Sequence, residues 1–343
     1  MDTVFVTGGT GFVGANLVRL LLEKGFKVKA LARPGSNREN LDGLDIEIVE
    51  GDLLSPESLA RGVAGARYVF HVAADYRVWV PKPEELLAAN VQGSVNVIEA
   101  AARAGAERVV HCSSVAAVKA RADKTPADEN SHYPGPETIV GAYKKSKFLA
   151  EKAVLDLAAK GRPVVVVNPA APIGAYDVKP TPTGKIVVDF LSGRMPSYID
   201  TGLNIVAVKD VARGHLLAAS KGRVGERYIL GGENLSLKDI LLLIAKISGA
   251  RPPKFKTPYA VAYAFAALDS ARAGLFGGEP LAPLDAVRMA KHYMWFDSSK
   301  AKQELGYSPR PAEEALREAV RYFTDHGYVK GRPAAAAQDL TPA

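Results

Sequence analysis

The chain has 343 residues and a formal net charge of +7; 48% of its residues are hydrophobic and 24% charged, the balance of a folded globular protein. Its basic residues are scattered rather than clustered, which argues against a nucleic-acid footprint and leaves a small anion as the fitting ligand. The single cysteine, Cys112, excludes an internal disulfide and fits a reducing compartment, so a cytoplasmic location is expected.

The first apolar run, Val4-Phe5-Val6, reads as a strand and not as a signal peptide. Thr7-Gly-Gly-Thr-Gly-Phe-Val-Gly14 follows, and Ala15 to Lys24 then places Leu17, Val18, Leu20, Leu21 and Leu22 at helical spacing before a stop at Gly25. Gly8, Gly11 and Gly14 therefore fall in a tight strand-to-helix turn. Such a turn lets backbone approach a pyrophosphate, which the free N–H groups of the helix start can hold. Gly8, Thr10, Gly11, Phe12, Val13 and Gly14 are the residues expected at the cofactor.

Strand and helix then alternate, which predicts an α/β fold with a Rossmann-type, doubly wound parallel sheet and helices on both faces. Strands are expected at 26–32, 45–49, 67–74, 108–113 and 163–168, and helices at 56–63, 84–104 and 141–160. After Pro169 the rhythm breaks. Residues 170–204 are rich in Pro, Gly and Thr, with 180–184 the clearest loop. A helix over 210–219, a strand over 227–230 and a helix capped by Ser236 and running to residue 247 follow, then three more helical patterns. The expected division is a dinucleotide-binding domain over 1–170, to which 205–230 return. A smaller mixed α/β substrate-binding region comprises 171–204 and 231–328, and 329–343 form a flexible tail. The longest apolar stretch, 258–268, is too short to span a bilayer. It reads as a packed helix of the second region, with peripheral membrane contact through 258–276 as the other reading.

Tyr143 and Lys147 stand four apart in one helix and so share a face. Ser113-Ser114 ends the preceding strand, at the carboxyl edge where such sheets bind ligands. A phenol of pKa about 10 is a poor base at neutral pH, but an adjacent ammonium favours its ionised form. Lys147 would supply that charge, and a serine hydroxyl would hydrogen-bond the reacting oxygen, making a proton-transfer site beside a hydride carrier.

The glycine turn, Ser113-Ser114, Tyr143-Lys-Lys-Ser-Lys147 and Val208-Lys-Asp210-Val-Ala212 together resemble the extended short-chain dehydrogenase/reductases, of the NAD-dependent epimerase/dehydratase family, over residues 1 to about 328. Within them the chain is most similar to the hopanoid-associated sugar epimerases, a group close to the dihydroflavonol 4-reductases. The matching stretches are Ala74-Asp75-Tyr76-Arg77-Val-Trp79, Ile139-Val-Gly141-Ala-Tyr143-Lys, Lys179-Pro-Thr-Pro-Thr-Gly184-Lys, Gly193-Arg194-Met-Pro196 and Asp200-Thr-Gly-Leu-Asn204. The resemblance implies Ser114, Tyr143 and Lys147 as the catalytic set. It places Asp52 and Leu53 at the adenine, Ala73 and Ala74 under the cofactor, and Ser113 and Pro169 beside it. It also implies sugar epimerisation or, by the other branch, NADPH-dependent carbonyl reduction, and it raises a homodimer through the helices at 84–104 and 141–160. Relatives often carry Thr or Ser shortly after the catalytic serine, where this chain has Ala116 and Ala117.

An NAD site would carry an acid at the end of the second strand, to accept from the ribose hydroxyl. This strand ends Leu31-Ala32-Arg33-Pro34, with no acid before Glu39. Arg33 suits a 2′-phosphate, so NADP is expected over NAD. Asp75 and Tyr76, after the fourth strand, and Arg194 and Tyr198, from the proline-rich region, are the expected contacts of a small-molecule substrate. Asp210 reads as a helix cap. His71 and His111 read as core residues with hydrogen-bond partners, and the six histidines show no metal-ligand spacing.

Overall fold

The computed structural model describes residues 1–75, 83–278, 280 and 282–329. Seven parallel strands form the main sheet: β1 (Thr3–Thr7), β2 (Lys27–Ala32), β3 (Glu47–Glu50), β4 (Ala66–His71), β5 (Arg108–Cys112), β6 (Val164–Pro169) and β10 (Arg227–Leu230). Their order is β10-β6-β5-β4-β1-β2-β3, so the chain winds outward from β1 in both directions.

Both faces of this sheet are covered, which is why the central run Val164-Val-Val-Val167 of β6 is apolar and fully buried. Val4, Val6, Val110, Val165 and Val167 join one core with α1 (Phe12–Glu23) and α6 (Val208–Lys221). Phe5, Val109, Val164 and Val166, their neighbours in sequence, join the opposite core with α2 (Pro56–Val63), α3 (Pro83–Arg103) and α4 (Ala142–Ala159). That alternation is the period of two of a strand. A fully buried side chain such as Phe5 contributes on the order of 2 kcal/mol through area removed from water.

After β6 the chain enters a second layer. There β7 (Ala171–Ile173), β9 (Gly202–Ala207) and β11 (Glu233–Ser236) form a small mixed sheet. Its core is shared with α5 (Pro182–Leu191), α7 (Leu237–Ser248) and α11 (Ala312–Asp325). A two-residue parallel pair, β8 (Ser197–Tyr198) with β12 (Phe255–Lys256), and the helices α8 (Tyr259–Phe276), α9 (Leu284–Met289) and α10 (Ser299–Leu305) complete the described residues.

The structure corrects the sequence in four places outside the site. Residues 180–184 do not form a loop: Thr181 caps α5 by accepting from the Gly184 N–H at 3.3 Å, and Pro182 stands at the first helical position, where its missing donor costs nothing. Among the described residues four helices, not three, follow α7, two of them, α9 and α10, only six and seven residues long. Asp210 is not a cap. It lies inside the first turn of α6, buried, and binds the Arg213 guanidinium at 2.8 Å and the Arg310 backbone N–H at 2.8 Å, so it fastens the segment leading into α11. Residues 258–268 are not a packed helix: in α8 only Ala266, Asp269 and Ala273 are buried. Tyr76, Arg77, Trp79 and the tail from residue 330 lie outside the described residues.

Candidate active site

The glycine turn closes on itself through the Gly11 N–H donating to the Gly8 carbonyl at 3.0 Å. Gly8 has φ +76°, and a Cβ there would lie 2.5 Å from the Ala73 nitrogen; one on Gly14 would lie 2.0 Å from the Gly8 carbonyl oxygen. Only hydrogen fits at either position. Gly11, the cap residue of α1, brings no side chain, and the first turn carries no acid. The helix N–H groups therefore face outward with the positive end of the helix dipole behind them. Ala73 is drawn against this turn, its N–H donating to Thr7 Oγ1 at 3.3 Å.

Two asparagines that belong to no sequence motif brace the turn. Asn16 donates to the carbonyls of Phe12 and Ala175 at 3.0 Å each. Asn40 donates to those of Thr10 at 3.0 Å and Tyr176 at 3.2 Å. A cavity of about 110 Å³ lies between Thr10, Gly11 and Phe12 on one side and Asn40, Asp177 and Lys179 on the other. Arg33 follows β2, exposed, with no ion pair among the described residues, whereas Arg38 is paired with Glu50. Asp52 and Leu53 form the turn between β3 and α2, where the Asp52 carboxylate accepts from the Leu54 N–H at 2.9 Å. This set fits a nicotinamide dinucleotide: a side-chain-free cradle, an uncapped helix start and an uncommitted guanidinium.

Ser114 follows β5 and Tyr143 and Lys147 lie on α4, whose start at Gly141 needs φ +91°. The Ser114 side chain is close enough to the Tyr143 phenol to act on its ionisation. Lys147 is buried and donates to the Cys112 carbonyl at 3.0 Å. The expected catalytic residues are thus brought together by two neighbouring elements. Electrostatics departs from expectation. Burial pushes the Tyr143 phenol up to about 12, and the Ser114 side chain is what pulls it down. Lys147 is lowered by the same burial, against an opposing pull from Glu151. In the protein alone Tyr143 therefore stays protonated at neutral pH, the state from which a phenol donates.

Behind these groups is a buried network formed by residues distant in sequence. Asn168 at the end of β6 donates to the Ser114 carbonyl at 2.9 Å and to Glu151 at 2.6 Å. Glu151 also accepts from Arg227 at 2.7 Å. Glu151 stands one helical turn beyond Lys147, so the spacing Tyr143, Lys147, Glu151 was a signal available in the sequence. Asn90 on α3 holds the backbone of Asp75 by two hydrogen bonds, at 2.8 and 2.9 Å, and donates to Ser146 Oγ at 3.0 Å, tying the loop after β4 to α4. His71 has the partners expected of it, Thr7 at 2.7 Å and Ser94 at 3.0 Å. His111 does not: neither ring nitrogen has one among the described residues.

Ser113 and Pro169 are buried at the ends of β5 and β6, and the Ser113 hydroxyl has no partner among the described residues. Ala74 and Asp75 are half-buried after β4. Arg194 is exposed, its guanidinium held by Asp189 at 2.7 Å, and Tyr198 pairs β8 with β12. No group of three or more potential metal ligands occurs among the described residues.

Residues 4–231 match the NAD dependent epimerase/dehydratase family, and the chain belongs to it. It is an NAD(P)-dependent enzyme of the oxidoreductase and epimerase type. Its relatives include a Synechocystis sp. protein described as dihydroflavonol 4-reductase-like, 46% identical over 333 residues and covering 96% of each chain. Sterol demethylase protein B of Methylococcus capsulatus is 34% identical, covering 95% of this chain and all of its own. Among solved structures, that of gox2253 superposes with a TM-score of 0.86 at 46% identity, covering 96% of this chain and all of that one.

Proposed function

We propose that the chain is an NADPH-dependent carbonyl reductase acting through Ser114, Tyr143 and Lys147. The observation that carries this reading is Arg33: an exposed guanidinium directly after β2, with no ion pair among the described residues, where an NAD-selective site would put a carboxylate. When bound, the cofactor supplies a hydride to the carbonyl carbon. The Ser114 hydroxyl hydrogen-bonds the carbonyl oxygen and stabilises its growing negative charge. Tyr143, held protonated by burial, gives that oxygen its proton. Lys147, fixed by the Cys112 carbonyl, lowers the cost of the phenolate left behind.

In this proposal residues 1–170 with 205–230 hold the dinucleotide, through the glycine turn, Asp52, Leu53, Ala73, Ala74, Ser113 and Pro169. Residues 171–204 and 231–328 hold the substrate, with Asp75, Tyr76, Arg194 and Tyr198 as its contacts. A cytoplasmic location and a homodimer through α3 and α4 belong to the same proposal. Sugar epimerisation, including the hopanoid-associated kind, would use the same three catalytic residues but return the hydride to the same molecule, so the cofactor need never leave.

The test is to denature the purified protein and identify any nucleotide released, then compare NADPH and NADH binding. Empty protein that prefers NADPH and consumes it with a carbonyl substrate, but not when Tyr143 is replaced by Phe, is the expected result. Stoichiometric NAD(H) would overturn the reductase reading in favour of epimerisation.

A further inference from the structure

Helix α8 is built inside out. Its core-facing stripe is small or polar: Ala266, Asp269 and Ala273 are its buried residues, and Asp269 accepts from the Ala282 N–H at 3.0 Å and from Arg272 at 2.8 Å. Ser270 adds a bond from the Leu284 N–H at 3.2 Å, fixing α8 to α9. At 100° per residue the opposite side of the helix carries Val261, Leu268 and Leu275, with Phe265 on its flank, and all four are exposed. Leu268 is 74% and Leu275 81% exposed, and Phe276 at the helix end 83%. An ordinary surface helix buries such residues and turns its polar side outward. Here the polar side anchors the helix and the apolar side is offered, so this face has the pattern of a docking surface.

The charge around it says what docks. Residues 251–278 contain four cations and one acid; Lys256 is paired with Asp200 at 3.0 Å and Arg272 with Asp269 at 2.8 Å, which leaves Arg251 and Lys254. Arg251 and Lys254 are exposed, make no ion pair among the described residues, and flank Phe255, itself 73% exposed. Tyr259 and Tyr263 stack at the same end of the helix, their ring centres 6.1 Å apart, as aromatic residues do at headgroup level. A second copy of the chain would set this cationic segment against itself, which disfavours self-association. An anionic bilayer meets both halves of the pattern, its acyl boundary taking the apolar side chains and its headgroups the cations. No described helix is long and apolar enough to cross a membrane.

From the inverted polarity of α8 and from Arg251 and Lys254, exposed and without an ion pair among the described residues, we infer that α8 is an interfacial helix that seats the enzyme on an anionic lipid surface. The inference does not depend on which carbonyl or hydroxyl the site transforms.

The experiment is flotation of the full chain with phosphatidylcholine vesicles with and without phosphatidylglycerol. The wild type floats with the anionic vesicles and not with the neutral ones, and its bound fraction falls as salt is raised. The double variant Phe265→Glu, Leu268→Glu, altered only at exposed positions, loses at least tenfold in the bound fraction while keeping the wild-type melting temperature. Arg251→Glu with Lys254→Glu weakens binding at low salt and loses its salt dependence. Wild-type protein that stays in the soluble fraction overturns the inference, as does a double variant that floats equally well. So does a concentration-dependent dimer that the double variant abolishes without any vesicle binding, since the occupant would then be a second copy.

Discussion

The Lys147 ammonium donates to the carbonyl oxygen of Cys112 at 3.0 Å, so α4 is pinned to the end of β5. The contact fixes the ammonium on the helix face it shares with Tyr143 and satisfies a buried carbonyl. Lys147→Met is expected to lower kcat/KM by about 10²–10⁴-fold, the range for loss of a group supporting acid–base transfer. Lys147→Arg should not restore it, because a planar fork cannot replace a compact ammonium in so closed a site. Steady-state kinetics of both variants, with circular dichroism to confirm folding, decides the matter; Lys147→Arg activity at the wild-type level would show that only charge is needed there.

Cofactor preference rests on Arg33. A guanidinium–phosphate contact at a partly exposed site is worth about 1.5–3 kcal/mol, so Arg33→Ala should weaken NADPH roughly 10–100-fold and leave NADH nearly unchanged. Fluorescence titration of both cofactors gives the ratio directly. A ratio of NADPH to NADH affinity that does not move assigns Arg33 to the solvated surface.

The parts of this molecule that follow from short-range pattern were legible in the sequence. Phe5 alternates with Val4 and Val6, Gly8, Gly11 and Gly14 stand between a strand and a helix, and Tyr143 and Lys147 share a helix face. What required the fold was long-range or directional. Glu151 and Arg227 lie 76 residues apart and meet only because β10 pairs with β6. Asn90 and Asn168 carry no motif, and their partners come from other elements. For α8 the composition was visible but not its orientation. An apolar helix reads alike whether Leu268 faces the core or solvent, and only the anchoring of Asp269 settles which way it turns.

The Glu151–Arg227 pair is buried on both sides, at 4% and 10% side-chain exposure, and Glu151 also takes the Asn168 amide that positions Ser114. Breaking a buried pair leaves a charge uncompensated. Glu151→Ala should therefore cost about 3–5 kcal/mol in urea unfolding and lower kcat more than it raises KM, because Ser114 loses its support. Glu151→Gln keeps a hydrogen-bond acceptor for Asn168 and should recover most of kcat while remaining less stable. Equal kinetic loss in the two variants would mean that the charge itself, and not the Asn168 contact, matters to Ser114.

Three buried histidines make the fold acid-sensitive. Burial lowers His71 to about 3, His215 to about 4, and His111 well below its ordinary value. They stay neutral in the folded protein while the unfolded chain takes up protons below about pH 6.5. Stability is therefore lost as pH falls from about 6.5 toward the folded values. Asp177 works the other way: burial raises it to about 6, so it is protonated in the folded state first and offsets part of the loss. The balance at pH 5.5 is an uptake of about two protons on unfolding, measurable from the slope of urea stability against pH. A flat profile between pH 6.5 and 5 would mean that these histidines are charged in the folded protein.

Lys144, one residue after Tyr143, is half-buried and makes no ion pair among the described residues; its ammonium donates to the Met294 sulfur at 4.0 Å. Desolvation lowers it to about 8. Below that pH the charge is half-buried in the folded state and solvated in the unfolded one, so it opposes folding; the penalty is relieved as pH rises from about 8 to the ordinary lysine value of about 10.4. Lys144→Met, close in volume and able to pack against Met294, should raise the melting temperature at pH 7 and flatten the rise in stability that the wild type shows above pH 8. Urea titrations of both proteins at pH 7 and pH 9.5 separate the outcomes. A variant that is less stable at pH 7 would mean that the Lys144 ammonium has found an anionic partner in solution.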